Sequence, residues 1–223
     1  MPKGYFITGT DTDCGKTEIT LGLMHLLQSQ GHSVLGMKPV ASGAVPSQAG
    51  LRNEDAQRIR QQGSHQVDYQ RINPFAHEPP IAPHLAAEQA GMSIDFDRIS
   101  SCYKGLAAEA DMVLVEGVGG WRVPLGPERD LSDLAVKLAL PVILVVGLKL
   151  GCINHALLSA ESILSSDVKL AGWVANVVDP WMLEPEANLE SLKQRLQIPF
   201  LGLVPRTTRP TPEAVAACLT LKN

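Results

Sequence analysis

The chain has 223 residues, 45% of them apolar and 19% charged, with a formal charge of −4. That length can bury the core of one large α/β domain, and that balance excludes a disordered chain. The acidic sum excludes a global basic field for nucleic acid and leaves room only for local patches.

Short β-branched runs alternate with helical stripes along the chain. "YFITG" (Tyr5–Gly9) reads as the first strand. After Lys16, Ile19, Leu23, Leu26 and Leu27 fall at i, i+4, i+7 and i+8, and Gly31 is placed to end that helix. "SVLGMKPV" (Ser33–Val40) is the second strand; the stretch from Ala41 to about Ile94, rich in Pro, Gly, Gln and Ser, reads as loose excursions over the sheet edge. "MVLVEG" (Met112–Gly117) and "PVILVVG" (Pro141–Gly147) are the next strands, and Ile153, Leu157, Ala160 and Leu164 stripe the helix that follows. "LAGWVANVV" (Leu170–Val178), a stripe at Leu189, Leu192 and Leu196, and "FLGLVP" (Phe200–Pro205) complete the alternation.

Several of these strands are apolar at consecutive positions, as strands covered on both faces are. Strands separated by helices pair in parallel through right-handed crossovers. The expected fold is a single-domain α/β, doubly wound, mostly parallel sheet over residues 1–223, with helices on both faces. Such a sheet gathers ligands beyond the carboxyl ends of its strands. Cys14, Cys102, Cys152 and Cys218 form no C-x-x-C pair and suit a reducing compartment. "MPKGYFITGT" has no signal-length apolar run, and no apolar 18-mer is present, so a cytoplasmic chain without membrane contact is expected.

The first strand leads into "GTDTDCGKT", Gly9 to Thr17. A Walker A loop reads G-x-x-x-x-G-K-[ST], and five residues rather than four separate Gly9 from Gly15. The setting is still strand, glycine-bearing loop, amphipathic helix. Backbone N–H groups of such a loop and of the helix start converge on an anion. Lys16 adds a point charge for the β- and γ-phosphates, and the Thr17 hydroxyl suits Mg²⁺. A surface turn with a chance Gly-Lys-Thr is the plain alternative.

Other strand ends carry matching chemistry. Glu116 ends an apolar strand, where an acid can hold Mg²⁺, and Gly117, Gly119 and Gly120 let backbone approach a ligand. Lys38 lies at the end of the second strand, just before Pro39, where it can stabilise charge on a transferring phosphoryl group; a surface lysine is the ordinary reading of that stretch alone. Asp55 lies at a helix start, where capping is the rival role. "KLGCINH" opens a helix whose N-terminus, near Asn154, suits a carboxylate. Asn176, at a strand end, can read an adenine edge through its amide. The six histidines show no metal spacing.

Together "YFITGTDTDCGKT", "GMKPVASG", "GLRNEDA", "VLVEGVGGW", "PVILVVGLKLGCINHA" and "LAGWVAN" resemble the dethiobiotin synthetase family. The loop with five intervening residues is that family's own form. The resemblance implies a P-loop NTPase-like fold, a homodimer, and ATP- and Mg²⁺-dependent closure of 7,8-diaminononanoate and CO₂ into dethiobiotin, ADP and phosphate. It implies Lys38 and Lys16 as catalytic residues and Thr17, Asp55 and Glu116 as metal ligands. ATP would be held by Asp13, Cys14, Gly15, Lys16, Thr17 and Glu18, and by Asp55, Glu116, Gly117, Val118 and Gly119. Asn176, Val177, Pro205, Arg206, Thr207 and Glu213 would enclose its base and ribose. Thr12 and Ser42 would face the diamine, with Gly151, Cys152 and Asn154 gripping its carboxylate from the partner chain. The sequence departs from the family at Cys14, usually valine, at Val177, where an acid can follow the asparagine, and in the tail "PRTTRPTPE".

A second class shares the loop: partner-switching ATPases of the chromosome-partitioning type. Those carry a further lysine directly after the first loop glycine, and here that position is Thr10. Their membrane- or DNA-associating element has no counterpart in "EAVAACLTLKN", which is short and barely basic. An amidotransferase-type synthetase would need a glutaminase domain, for which the chain is too short.

Overall fold

Strand β1 (Gly4–Gly9) runs into the loop of residues 10–15 and then helix α1 (Lys16–Ser29), as the apolar pattern requires. The structure, a computed structural model, describes residues 4–208 and 210–221; Arg209 of the "PRTTRPTPE" tail and the extreme ends of the terminal segments lie outside them. Helix α1 ends where its glycine predicts. Gly31 takes φ 91°, and the N–H of His32 reaches back 3.2 Å to the carbonyl of Leu27, the longer bond of a Schellman turn.

Strand β2 (Val34–Met37) is shorter than its apolar run. Pro39 has no N–H to continue a ladder, and the next pair, β3 (Val40–Ala41), leaves the main sheet for another partner. The segment expected to be loose is instead folded. It contains the antiparallel ribbon of β4 (Val45–Ser47) and β5 (Gly50–Arg52), helices α2 (Glu54–Gln62) and α3 (Tyr69–Ile72), β6 (Phe75–Ala76) paired with β3, and α4 (Pro83–Gln89). Local chemistry accounts for it: Asn53 caps α2, Asp68 caps α3, and Pro83 opens α4.

Helix α5 (Phe96–Glu109), which the stripe reading passed over, leads to β7 (Met112–Gly120). This strand runs on past the predicted end at Gly117, so Glu116 lies inside it, opposite Ile7 of β1, rather than at its tip. Then come α6 (Leu131–Leu138), with a capping box from Asp130 and Asp133, β8 (Val142–Leu148), α7 (Cys152–Leu164), β9 (Leu170–Val177), α8 (Pro185–Arg195), β10 (Phe200–Val204) and α9 (Pro212–Ala216).

The six long strands form one parallel sheet in the order β10-β9-β8-β1-β7-β2. All seven residues of β8 are buried, as both-face coverage demands. From β1 the chain winds outward to β2, returns through β7, and crosses β1 to β8. That reversal opens a crevice at the carboxyl ends beside β1. Among the described residues no helix is long and apolar enough to cross a membrane.

Candidate active site

A cleft of about 820 Å³ occupies that crevice, lined by Thr12, Asp13, Gly15, Lys16, Thr17 and Glu18 from the first loop and helix. Lys38, Ser42 and Asp55 come to it from beyond β2, and Glu116, Val118 and Gly119 from β7. Twelve residues singled out in the sequence thus share one cavity.

At its centre is a charge cluster. Lys38 Nζ donates to Glu116 Oε1 at 2.5 Å and pairs with Asp55 Oδ2 at 3.1 Å. Burial alone would push the Lys38 ammonium toward neutrality; the carboxylates of Glu116 and Asp55 outweigh it and raise the pKa above the ordinary lysine value. Thr17 Oγ1 donates to the same Glu116 oxygen at 2.9 Å. Glu116 is fully buried, and among the described residues its Oε2 has no hydrogen-bond partner. An unpaired buried carboxylate oxygen is costly unless a ligand satisfies it.

The local backbone explains how Lys38 gets there. Its N–H donates to Ile72 O at 2.9 Å, and Asn73 Nδ2 donates to its carbonyl at 2.7 Å. Asn73 is fixed in turn by Tyr69, whose hydroxyl donates to Asn73 Oδ1 and accepts from the N–H of Asn53, the α2 cap. The cap of α2 is therefore Asn53, and Asp55 turns instead to Lys38.

Thr17, Asp55 and Glu116 bring a hydroxyl and two carboxylates into one cluster, linked through Glu116 Oε1 and the Lys38 ammonium. Hard oxygens in that number suit a small divalent cation that keeps phosphate and water ligands, rather than an all-protein cage. Among the described residues no three His, Cys, Asp or Glu side chains gather into such a cage. The unpartnered Glu116 Oε2 leaves that carboxylate with spare acceptor capacity.

In the phosphate loop, Gly15 takes φ 88°, and a Cβ there would fall 2.0 Å from Asn176 Nδ2. The loop requires glycine on both counts. Lys16 is nearly buried, with Nζ 2.9 Å from the Asp11 carbonyl and 3.8 Å from Cys14 Sγ. Asp11 is held by Lys149, whose Nζ donates to Oδ2 at 2.6 Å, and this hydrogen bond lowers the Asp11 pKa. Sequence reasoning missed Asp11 and Lys149, although both stand inside quoted motifs. Cys14 packs in the core beneath the loop, where a Cβ on Gly9 would meet its sulfur at 2.3 Å.

Other predicted residues do not line this cleft. Gly117 is inside β7, where a Cβ would crowd Leu131 at 2.8 Å, so side-chain space rather than ligand contact explains it. Asn176 Nδ2 donates to Cys14 O at 3.0 Å, tying the end of β9 to the loop. Arg206 lines a second concavity of about 690 Å³ with Asp11, Asp13, Lys149 and Trp181. Val177 closes β9, Pro205 and Thr207 are exposed past β10, and Glu213 is exposed on α9. Gly151 caps α7 with φ 91° and Asn154 is exposed in its first turn. Cys152 has its thiol in the core and donates its N–H to Lys149 O at 3.0 Å.

A family model described as an AAA domain matches residues 3–214. The chain is 55% identical over 223 residues to an ATP-dependent dethiobiotin synthetase BioD of Pseudomonas aeruginosa, covering 100% of this chain and 97% of that protein. It is 49% identical over 220 residues to the protein of that name from Aromatoleum aromaticum, covering 99% and 98%. Among solved structures, the MinC:MinD cell division protein complex of Aquifex aeolicus superposes with a TM-score of 0.58 at 19% identity, over 96% of this chain and 86% of that one. A ParA family ATPase from Chlorobium tepidum gives 0.57 at 11% identity, over 98% and 91%. Those two likenesses concern the fold alone.

Proposed function

We propose a function from one premise: the chain belongs to the ATP-dependent dethiobiotin synthetase family. The whole chain acts as one synthetase domain, a cytoplasmic cyclo-ligase of biotin biosynthesis. One amine of 7,8-diaminononanoate takes up CO₂ and loses a proton to give a carbamate. A carbamate oxygen attacks the γ-phosphorus and displaces ADP. The second amine then attacks the carbamoyl carbon, expels phosphate, and closes the ureido ring as its proton leaves. Amines on adjacent carbons make that closure intramolecular, where effective molarities reach ~10⁵ M or more.

The observation that carries this reading is the meeting of Lys38, Glu116 and Asp55 beside the phosphate loop in one cleft. Lys38, kept charged by its two carboxylates, contacts γ-phosphate and carbamate oxygens and stabilises the charge that grows during transfer. Lys16 turns from the Asp11 carbonyl to the β- and γ-phosphates. Backbone N–H groups from Asp13 to Glu18 cradle the anion. Thr17, Asp55 and Glu116 would hold Mg²⁺, which would supply positive charge against the triphosphate. Thr12 and Ser42 face the diamine; Ser42 Oγ is buried and unpartnered among the described residues, which suits a substrate contact.

Asn176 has committed its amide N–H to Cys14 O, which leaves Oδ1 to accept from the exocyclic amine of adenine. Val177 and the backbone of Pro205, Arg206 and Thr207 enclose the base, with Glu213 near the ribose and Val118 and Gly119 along the phosphates. The working unit is a homodimer, with Gly151 and Asn154 at the start of α7 holding the carboxylate of the partner's diamine. Incubating the protein with diaminononanoate, bicarbonate, Mg²⁺ and ATP should yield dethiobiotin, detected by mass. ADP and phosphate without a ureido product would overturn the assignment.

A further inference from the structure

Arg58 lines the cleft but has no part in the chemistry above. It lies three residues beyond Asp55 on α2, and that spacing puts both side chains on one helix face. Its Nη1 and Nη2 donate to Oε1 and Oε2 of Glu18 at 2.6 and 2.8 Å, a planar fork against a planar carboxylate. Glu18 is in the first turn of α1, next to Thr17. The two side chains are only 33% and 26% exposed, so the pair is shielded from water more than a surface ion pair. The Glu18 hydrogen bond also holds the Arg58 pKa above its ordinary value.

The pair joins the two helices that carry the proposed metal ligands. Asp55, 38% exposed and ion-paired to Lys38, depends on the placement of α2 for its reach. We propose that Arg58 and Glu18 form a positioning clamp, which locks α2 against the first turn of α1 so that Asp55 and Thr17 stay at the separation one divalent cation requires. The clamp rests on the reading of this cleft as a magnesium-triphosphate site. It also explains how an acidic side chain is tolerated beside a triphosphate: Arg58 engages both Glu18 oxygens, and Glu18 meets the anion through its backbone N–H.

The test is binding of a fluorescent ATP analogue titrated with Mg²⁺, alongside the KM for the diamine. Arg58→Met and Glu18→Gln should each raise the Mg²⁺ concentration for half-saturation by about three- to thirty-fold, within the span seen for neighbouring coupled groups. The KM for the diamine should stay within about two-fold, which a general loss of folding would not spare. Arg58→Lys, which keeps the charge and loses the fork, should remain impaired. The swapped pair Glu18→Arg with Arg58→Glu should recover most of the Mg²⁺ response. A normal Mg²⁺ response in Glu18→Gln, or full function in Arg58→Lys, would overturn the clamp while leaving the site intact. Nucleotide binding in the native protein that ignores Mg²⁺ would overturn both.

Discussion

Lys38 shows how one side chain can serve both folding and chemistry. Its ammonium neutralises Glu116, which is fully buried, and Asp55, which is not. Removing one partner of a buried pair typically costs about 3–5 kcal/mol. Lys38→Ala is therefore expected to lower stability and to abolish turnover, while ATP affinity in the presence of Mg²⁺ changes only a few-fold. An interaction that strengthens in the transition state moves kcat rather than binding. Unchanged kcat in that variant would remove Lys38 from the mechanism. Because the Lys38 pKa is raised, its stabilisation is complete below the ordinary lysine pKa and fades only as pH climbs through the higher folded value.

His77 acts in the opposite direction. It is 3% exposed, its Nε2 has no partner among the described residues, and burial lowers its pKa. A lowered histidine pKa means the unfolded chain binds the proton more readily, so stability falls as pH drops below about 6.5 and toward the folded pKa. Melting temperatures measured from pH 7.5 to 5 should decline in the native protein, and His77→Leu should flatten that slope. An unchanged slope would place the acid sensitivity elsewhere.

Two helices make sharper predictions than any single group. Gly22 lies inside α1, where alanine ordinarily gains about 1 kcal/mol. Here a Cβ would come 2.3 Å from Val215 Cγ1 on α9. Gly22→Ala should instead destabilise by about 1–3 kcal/mol through overpacking, seen as a lower urea midpoint at constant slope. Under the proposed ribose contact of Glu213 on α9, ATP affinity should weaken with it. A raised midpoint would mean that α9 moves aside without cost. The start of α7 supplies the second case. Asn154 is exposed in the first turn, at the positive end of the helix, so Asn154→Ala should raise the KM for the diamine more than that for ATP. Equal effects on both would count against a carboxylate held there.

At the scale of the molecule, the cleft joins elements far apart in the chain. Thr17 and Glu116 meet at 2.9 Å across 99 positions. A ligand that bridges α1, α2 and β7 should therefore tighten the whole sheet edge. At a hundredfold excess over Kd, ATP with Mg²⁺ should add about 2.7 kcal/mol and raise Tm by roughly 5–10 °C for a chain of this size. ATP with a chelator should give markedly less. An equal shift under both conditions would argue against a cation held by protein oxygens. Leu150, 90% exposed, precedes the Gly151 cap of α7, a placement that suits burial between two copies. Sedimentation should accordingly find a dimer, and Leu150→Asp should shift it toward monomer.

The strands could be read from the chain because residues buried on both faces leave continuous apolar runs, and β8 is the clearest of them. The phosphate loop and the end of α1 were equally plain, since glycine at Gly15 and Gly31 answers to local backbone angles. The segment between Ala41 and Ile94 is less legible. Its helices are short and start from the single caps Asn53 and Asp68, signals that composition averages away. Tertiary structure alone decided which charges meet: Lys38 with Asp55 and Glu116, Arg58 with Glu18, and Lys149 with Asp11 across 138 positions. Periodicity reports which face of an element is buried, whereas an ion pair depends on a distance of a few ångströms that exists only after the sheet has ordered its strands.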